Sequence, residues 1–410
     1  MIVGFAIFFT IFTALLALTH VYLYRRLVRD TMRTRRGRRI GLASVVALAA
    51  LMLGGRALAR LWPNAVTGAL GTAGYVWMGL SLFLVLTLLV IDGARLANQL
   101  VARLRGAARG WNPAGAGPAP SSESTTATQA EAPVDPERRL FLARAAAGGA
   151  AVLSGGIASY GAWRAFHPPE LTEVAVQLGG LPRALDGFSI VQLSDIHVGN
   201  LVERRFLEEL VRRANALRPD LVAITGDLVD GNVPTLGPAV QALTELRARH
   251  GTFFVTGNHE YYSGDEEWTA FLQRMGVAVL RNRHVRIGDP GASFDLVGVD
   301  DWGARRIGRG YDLEAAMIGR DPDQPAVLLA HQPANFREAA RKGIGLQLSG
   351  HTHGGQIFPL TVFVRLAWEY PAGLYDLGAS RIYVSRGCGF WGPPMRLGSP
   401  PELVKVVLTA

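Results

Sequence analysis

A layered α/β domain preceded by a hydrophobic helical region is predicted for this chain on three observations. Uncharged stretches long enough to cross a bilayer crowd the first 170 residues. Beyond residue 173, short apolar runs alternate with amphipathic ones. Polar residues able to ligate a metal fall directly after several of those apolar runs. Composition agrees with the first observation: of 410 residues, 49% are hydrophobic and 18% charged, with a mean hydropathy of +0.19, which is apolar for a water-soluble protein of this size. Residues 1–170 hold 18 Arg against 7 acids, whereas residues 171–410 hold 24 Lys and Arg against 26 acids. The pI of about 10.1 therefore comes from the N-terminal part, and no nucleic-acid-binding surface is indicated on the rest. Cys388 is the sole cysteine, so no intrachain disulfide forms, and a domain of this size can build its core without one. The redox compartment stays open.

Residues 1–24 contain no Asp, Glu, Lys or Arg and supply the ~20 apolar residues that a span needs. Residues 40–59 and 68–91 are read as second and third spans, the second interrupted by Arg56. Segment 145–163 is uncharged but dominated by Ala and Gly, and is read as a fourth. A buried helix of a soluble core is the alternative for each, and uncharged runs of 19 to 31 residues argue against it. The loop 25–39 carries eight Arg against the single Asp30, which places it in the cytoplasm by the positive-inside rule. Arg95, Arg103, Arg105 and Arg109 after the third span, with Arg138, Arg139 and Arg144 near the fourth, place the intervening linker inside too. That linker, 111–137, is rich in Pro, Ala, Ser and Thr without an apolar period, and is expected to be disordered. Four crossings put everything after Ala165 outside the cytoplasmic membrane, in a multi-pass protein with its globular domain on the outer face. The run Arg138-Arg139-Leu140-Phe141-Leu142 also resembles a twin-arginine export signal. Segment 138–166 is thus either a fourth span with a basic flank or such a signal. The expected division is a transmembrane region of about three helices over 1–110, the linker 111–137, the segment 138–166, and a globular domain over 171–410.

Within the globular part, 188–193, 221–225 and 252–256 read as buried strands, with helices over 203–217 and 238–249 between them. Further strands are expected at 294–299, 326–330, 346–348, 381–385 and 403–408. Each of the first three strands ends in possible ligands: Asp195 and His197, then Gly226-Asp227, then Gly257-Asn258-His259-Glu260. Carboxyl ends of strands in such sheets share one crevice. Asp195 and His197 are two apart, as are His351 and His353, so in an extended chain each pair points to one side and could chelate. His331 supplies another imidazole after an apolar run, and Gly226, Gly257 and Gly350 precede ligands where close backbone approach is plausible. Imidazole with carboxylate suits Mn, Fe or Zn rather than Ca, and two ions ~3.5 to 4 Å apart are a common device for attacking a phosphoester. A lone Asp-x-His is ordinarily a turn or cap. The signal lies in the joint occurrence and order.

These motifs resemble those of the calcineurin-like metallophosphoesterases. The resemblance runs over about 210 residues, 189–401, through Asp195-Ile196-His197, Gly226-Asp227, Gly257-Asn258-His259-Glu260, His331 and Gly350-His351-Thr352-His353-Gly354-Gly355-Gln356. The run His353-Gly354-Gly355-Gln356, with Ser385-Arg386-Gly387 and Pro401-Glu402, looks like a membrane-associated bacterial branch. The resemblance implies two packed mixed β-sheets flanked by helices. It implies one divalent transition metal ion on Asp195, His197, Asp227 and His353, and a second on Asp227, Asn258, His331 and His351, with Asp227 bridging. It implies that His259 protonates the leaving oxygen or stabilises its charge. The expected function is a membrane-anchored dinuclear metal-dependent phosphohydrolase, a phosphodiesterase acting on a phosphodiester or a lipid-linked phosphate. Alternatives are a phosphomonoesterase, a nucleotide-lipid pyrophosphatase, which requires a cytoplasmic domain, or a non-catalytic metal-binding membrane module, which the complete ligand set disfavours. His167, His250 and His284 read as ordinary surface or core histidines. Asp300-Asp301-Trp302 is either a pocket wall or a turn, and Phe390-Trp391 either packs normally or faces acyl chains. Cys388 has no catalytic partner.

Overall fold

The apolar stretches fold as helices in the computed structural model, which describes residues 2–62, 64–110 and 135–410. They are α1 (Ile2–Leu23), continued as π-helical turns over Tyr24–Arg29, α2 (Arg35–Leu61), α3 (Ala65–Gly110) and α4 (Pro136–Phe166). Among the described residues, four helices are long and apolar enough to cross a membrane. They run past the uncharged stretches into the basic flanks, because Arg is a good helix former and nothing there breaks the helix. The 46 residues of α3 extend roughly 69 Å, about twice the ~30 Å hydrocarbon thickness, so its Arg-bearing end projects beyond any bilayer it crosses. Residues 111–134, most of the linker expected to be disordered, lie outside the described residues.

By internal contacts the chain divides into two units, Met1–Ser159 and Tyr160–Ala410. In the first, a Cβ at Gly74 would fall 2.7 Å from Leu51 O, and one at Gly55 would fall 2.9 Å from Leu70 O. Only glycine lets α2 and α3 approach this closely, as helices embedded in lipid do. Asp92 on α3 accepts from Arg26 Nη2 at 2.6 Å and Tyr22 Oη at 2.8 Å, so this acid in an apolar helix is paired.

The second unit begins with the last turns of α4 and continues into β1 (Glu170–Gln177), β2 (Ser189–Leu193), α5 (Arg204–Ala216), β3 (Leu221–Thr225), α6 (Val233–Val240) and β4 (Thr252–Val255). Then come α7 (Asn258–Ser263), α8 (Asp265–Arg274), β5 (Ala278–Val279), β6 (Arg283–Asp289), β7 (Ala292–Gly298), α9 (Leu313–Met317), β8 (Ala326–Leu329), α10 (Phe336–Arg341) and β9 (Leu346–Ser349). The chain closes with α11 (Leu360–Ala367), β10 (Gly373–Leu377), β11 (Ser380–Val384) and β12 (Glu402–Thr409). One six-stranded sheet has the order β1-β12-β2-β3-β4-β5, the other β10-β11-β9-β8-β7-β6. Both are mixed: β2 through β5 run parallel and β12 pairs antiparallel with β2, while β7, β8, β9 and β11 run parallel with antiparallel β6 and β10 at the edges.

Alternation along the strands explains the layers. In β3, Leu221 and Ala223 face the space between the sheets, against Phe294 and Leu329, while Val222 and Ile224 face the helices. Both faces are covered, so β2 and β3 are buried throughout and read as continuous apolar runs. On the outer side, α5 presents Leu207, Leu210, Val211 and Ala214, a single stripe at helical spacing. The helix expected over 238–249 is instead α6 followed by a 3-10 segment, Gln241–Glu245. Asn232 caps it, its side chain accepting from Thr235 N at 3.2 Å, and Pro234 fits the first turn. Beyond Leu246 the chain is committed to β4.

Candidate metal centre

The carboxyl ends of β2, β3, β4, β8 and β9 deliver the site. His197 Nε2 lies 3.1 Å from His353 Nε2, and Asp195 Oδ1 lies 3.5 Å from the same His353 nitrogen. His331 Nε2 lies 3.2 Å from His351 Nδ1 and 3.2 Å from Asp227 Oδ2. Three groups of possible ligands result, His197 with Asp230 and His259, and the two that hold the expected ligand positions, Asp195 with His197 and His353, and Asp227 with His331 and His351. Asp227 Oδ2 also reaches to 3.8 Å from His197 Nε2, so one carboxylate oxygen faces both groups.

Extended-chain alternation is not what aims these residues. Asp195, His197, Asp227, His351 and His353 all have left-handed backbone, with φ between 50° and 72°. Each such conformation is costly for a residue with a side chain and persists only where the surroundings impose it. The tight turns send His351 and His353 to different groups, so that pair does not chelate one point. Glycine permits the crowding: a Cβ at Gly350 would collide with Ser194 Oγ and Asp195 Oδ2, and one at Gly257 with Asp227 Oδ1.

The donors fit a pair of divalent cations. Asn258 Oδ1 is buried without a hydrogen-bond partner, and such an orphan is costly unless something electropositive meets it. His331 Nδ1 donates to Thr225 O at 2.8 Å and His197 Nδ1 donates to Asp230 at 3.2 Å, so in the neutral form of each ring the lone pair is on Nε2 and is directed into the site. The Arg396 guanidinium, a donor only, lies 3.0 Å from His353 Nδ1. Any proton on neutral His353 therefore sits on Nε2, facing His197, where a cation would replace it.

Electrostatics point the same way. Burial disfavours the Asp227 carboxylate, but His331, His259 and His197 outweigh it and hold it well below its usual range. Burial likewise opposes charge on His331, yet Asp227 and Asp195 raise it well above the ordinary imidazole value. The carboxylates thus draw positive charge into the second group, a demand that a dication meets. Burial and the neighbouring His331 push His351 down to about 3, and burial with Arg396 pushes His353 well below its usual value, so neither ring competes for protons at neutral pH.

His259 stands beside both groups. Its Nδ1 donates to Asp230 Oδ1 at 2.5 Å, and its Nε2 lies 3.9 Å from Asp227 Oδ2. Burial lowers its pKa, but Asp230 and Asp227 outweigh burial and raise it above the ordinary imidazole value.

Three residues at this centre received no role from sequence reasoning. Asp230 accepts from both His197 and His259, and its only sequence signal is its place three residues after Asp227. Fully buried Glu260 accepts from the backbone N–H groups of Asp227, Leu228, Val229 and Gly257, binding the second and third ligand loops together. Arg396, 43 residues after His353, had no signal in its Gly/Pro-rich surroundings. Other candidates lie elsewhere: His250 packs on Phe188, His284 bonds Ala316 O, and the His167 ring lies against Trp163. Asp301 caps a turn through Gly303 N, and Asp300 pairs with Arg281. Phe390 is buried while Trp391 is half exposed. A cleft of about 640 Å³ lined by Arg218, Arg247 and Arg249 lies at the amino end of β4, away from these donors.

Comparison with known proteins agrees with the motifs. The family described as calcineurin-like phosphoesterase matches residues 188–355. A transmembrane protein with metallophosphoesterase domain from Bos taurus is 45% identical over 263 residues, 61% of this chain and 59% of that protein. One of that description from Danio rerio is 40% identical over 269 residues, 63% of this chain and 62% of that protein. An uncharacterized metallophosphoesterase from Aquifex aeolicus is 38% identical over 232 residues, 56% of this chain and 87% of that protein. The chain thus spans about three fifths of the length of the two vertebrate relatives, whose presence extends the likeness beyond the bacterial branch that the motifs suggested. With the family match over the strands and loops that carry the site, and close identity across nearly all of the Aquifex protein, the chain belongs to the calcineurin-like phosphoesterase family.

Proposed function

We propose that this protein is a membrane-anchored phosphohydrolase using two divalent transition metal ions, Mn, Fe or Zn, and that it cleaves a phosphodiester or a lipid-linked phosphate on the outer face of the cytoplasmic membrane. The observation that carries the reading is the Asp227 carboxylate facing two groups of imidazoles, with the His259 ring beside it. Asp195, His197, Asp227 and His353 would hold one ion, and Asp227, Asn258, His331 and His351 the other. When bound, such ions supply Lewis-acid polarisation of phosphoryl oxygens and a nucleophile at neutral pH. The chain's own residues do the rest. Asp230 fixes the His259 ring through Nδ1, so that Nε2 presents a proton toward the leaving oxygen. The low pKa values of His351 and His353 keep both rings unprotonated as donors. Glu260 holds the loops bearing Asp227 and Asn258 in register.

The anchor supports the lipid part of the reading, through the four apolar helices and the relatives named as transmembrane proteins. The test is a screen of the detergent-purified full chain, with Mn added, on a chromogenic phosphodiester, a phosphomonoester and phospholipid extracts. Faster turnover of the diester or of a lipid is expected. Hydrolysis confined to the monoester would replace the diesterase assignment, and no hydrolysis of any class would favour a metal-binding module.

A further inference from the structure

Helix α11 inverts the usual pattern of a surface helix. Its sequence Leu-Thr-Val-Phe-Val-Arg-Leu-Ala buries only Thr361 and turns its large apolar side chains outward, with Phe363 62% and Leu366 81% exposed. Arg365 is its one charge. Phe358, just before it, is half exposed, as is Trp391. A globular domain ordinarily faces water with the polar side of such a helix, and a contiguous apolar patch marks a contact surface.

The patch rims the candidate metal centre. Trp368, which ends α11, packs its ring 5.4 Å from that of His351. Gln356 Nε2 donates to Trp391 O at 2.8 Å, and the Trp391 ring lies 5.9 Å from that of His259.

What covers the patch follows from its continuity with the end of α4. Residues 160–166 belong to the same compact unit, and there Tyr160 and Trp163 are both 55% exposed. Exposed Trp and Tyr at the end of an apolar helix are the belt found where a span leaves the bilayer. Arg396 N donates to Gly161 O at 2.9 Å, and Phe358 N donates to Leu397 O at 2.8 Å, so Phe358 is two backbone hydrogen bonds from the helix end. The Phe166 ring meets Phe390, the neighbour of Trp391, at 5.1 Å.

We propose that α11, with Phe358 and Trp391, is an interfacial docking surface that inserts into the outer part of the bilayer and seats the mouth of the metal centre on lipid. The inference rests on the reading of α4 as a membrane span. It makes the preferred substrate an amphiphile presented from the bilayer plane, with its phosphate at headgroup depth, and Arg365 is long enough to reach the headgroups while its stem stays in the apolar layer.

The test labels the full chain at Phe363→Cys, and separately at Leu366→Cys, with an environment-sensitive fluorophore. Cys388 is buried with its thiol pushed up to about 12, so it stays unlabelled. Arg249→Cys, before the amino end of β4, is the control. The labelled chains are reconstituted in vesicles of phosphatidylcholine with a minority of phosphatidylglycerol, with or without bromine in the acyl chains. Insertion to the ~5 to 10 Å depth of an interfacial helix should give roughly twofold or greater quenching by bromine at 363 and 366, and little at 249. Equal weak quenching at all three, in a chain that still floats with vesicles after an alkaline wash, would overturn the docking and leave the anchor standing. A chain that washes off overturns both. Labels shielded from aqueous iodide yet not quenched by bromine would assign the patch to contact between protein copies and overturn the proposal.

Discussion

Glu260→Gln isolates the contribution of one carboxylate to the whole centre. Oε1 accepts from Leu228 N at 2.8 Å and Val229 N at 3.3 Å, and Oε2 accepts from Asp227 N at 2.9 Å and Gly257 N at 2.7 Å. The substitution keeps shape and burial but turns one oxygen into an NH₂ that confronts two N–H donors. Whichever way the amide lies, two backbone donors are orphaned in a site with no exposed surface. At ~1 to 3 kcal/mol for each buried unsatisfied group, the loss is about 2 to 6 kcal/mol. The amide will place NH₂ against the Leu228 and Val229 pair, where one bond is already long, so the lower half of that range is expected. For a unit of this size ~2 to 4 °C is lost per kcal/mol, which gives a fall of about 4 to 16 °C. The assay is a thermal melt of the full chain in detergent, followed by tryptophan fluorescence. Glu209→Gln is the control, because its pairing with Arg212 at 2.6 Å is on the surface and is worth ~0 to 1 kcal/mol. Apparent Mn affinity should fall in Glu260→Gln and not in the control, since the clamped loops carry Asp227 and Asn258. A melting temperature for Glu260→Gln within the control's range would refute the clamp.

Three further outcomes are expected. His259→Asn should keep its metals but slow turnover of a phosphodiester with a poor leaving group by ~10² to 10⁴, about 3 to 5 kcal/mol, and affect a good leaving group less; equal losses on both substrates would remove the proton-donor role. The Cys388 thiol is buried and raised to about 12 by burial above all, so native protein should release almost no chromophore from a disulfide reagent at pH 8, while unfolded protein gives one equivalent; a full equivalent from native protein would show the thiol to be accessible. A chain starting at 160 should be more stable than one starting at 170 by ~1 to 3 kcal/mol, because the shorter one loses buried Ala165 and the Phe166 contact to Phe390; equal melting temperatures would show that the helix end is not part of the unit.

How far the fold could be read from residues depended on burial. Strands β2, β3, β8 and β12 are covered on one or both faces and announce themselves as apolar runs. Four strands escaped notice: β5 is only two residues long, and β1, β6 and β10 are exposed along much of their length and mix charge with apolar residues, as in Glu170–Gln177 and Arg283–Asp289. Three of the sheet edges are made by the latter three strands, where polar residues discourage further pairing and erase the period. The candidate ligand residues stand out because they sit directly after buried strands, but extended alternation does not explain their convergence: the backbone at Asp195, His197, His351 and His353 is left-handed. Asp230, Glu260 and Arg396 touch the candidate ligands or their loops through contacts that sequence spacing does not encode. Arg396 reaches His353 only because the Gly/Pro-rich segment folds back over the ligand loops, Gly389 lying against Ile196 O and Arg396 Nε donating to Gly389 O at 3.0 Å.

The central claim is that Asp227 joins two metal sites into one hydrolytic centre, and the most direct test is a Mn titration of phosphodiester hydrolysis by the full chain and its Asp227→Asn variant. Removing the bridging charge should cost the variant both its Mn response and its bound metal, whereas the parent's activity should rise with Mn and vanish with chelator. Hydrolysis by the parent that ignores Mn and chelator, or an Asp227→Asn variant that titrates like the parent, would contradict the account.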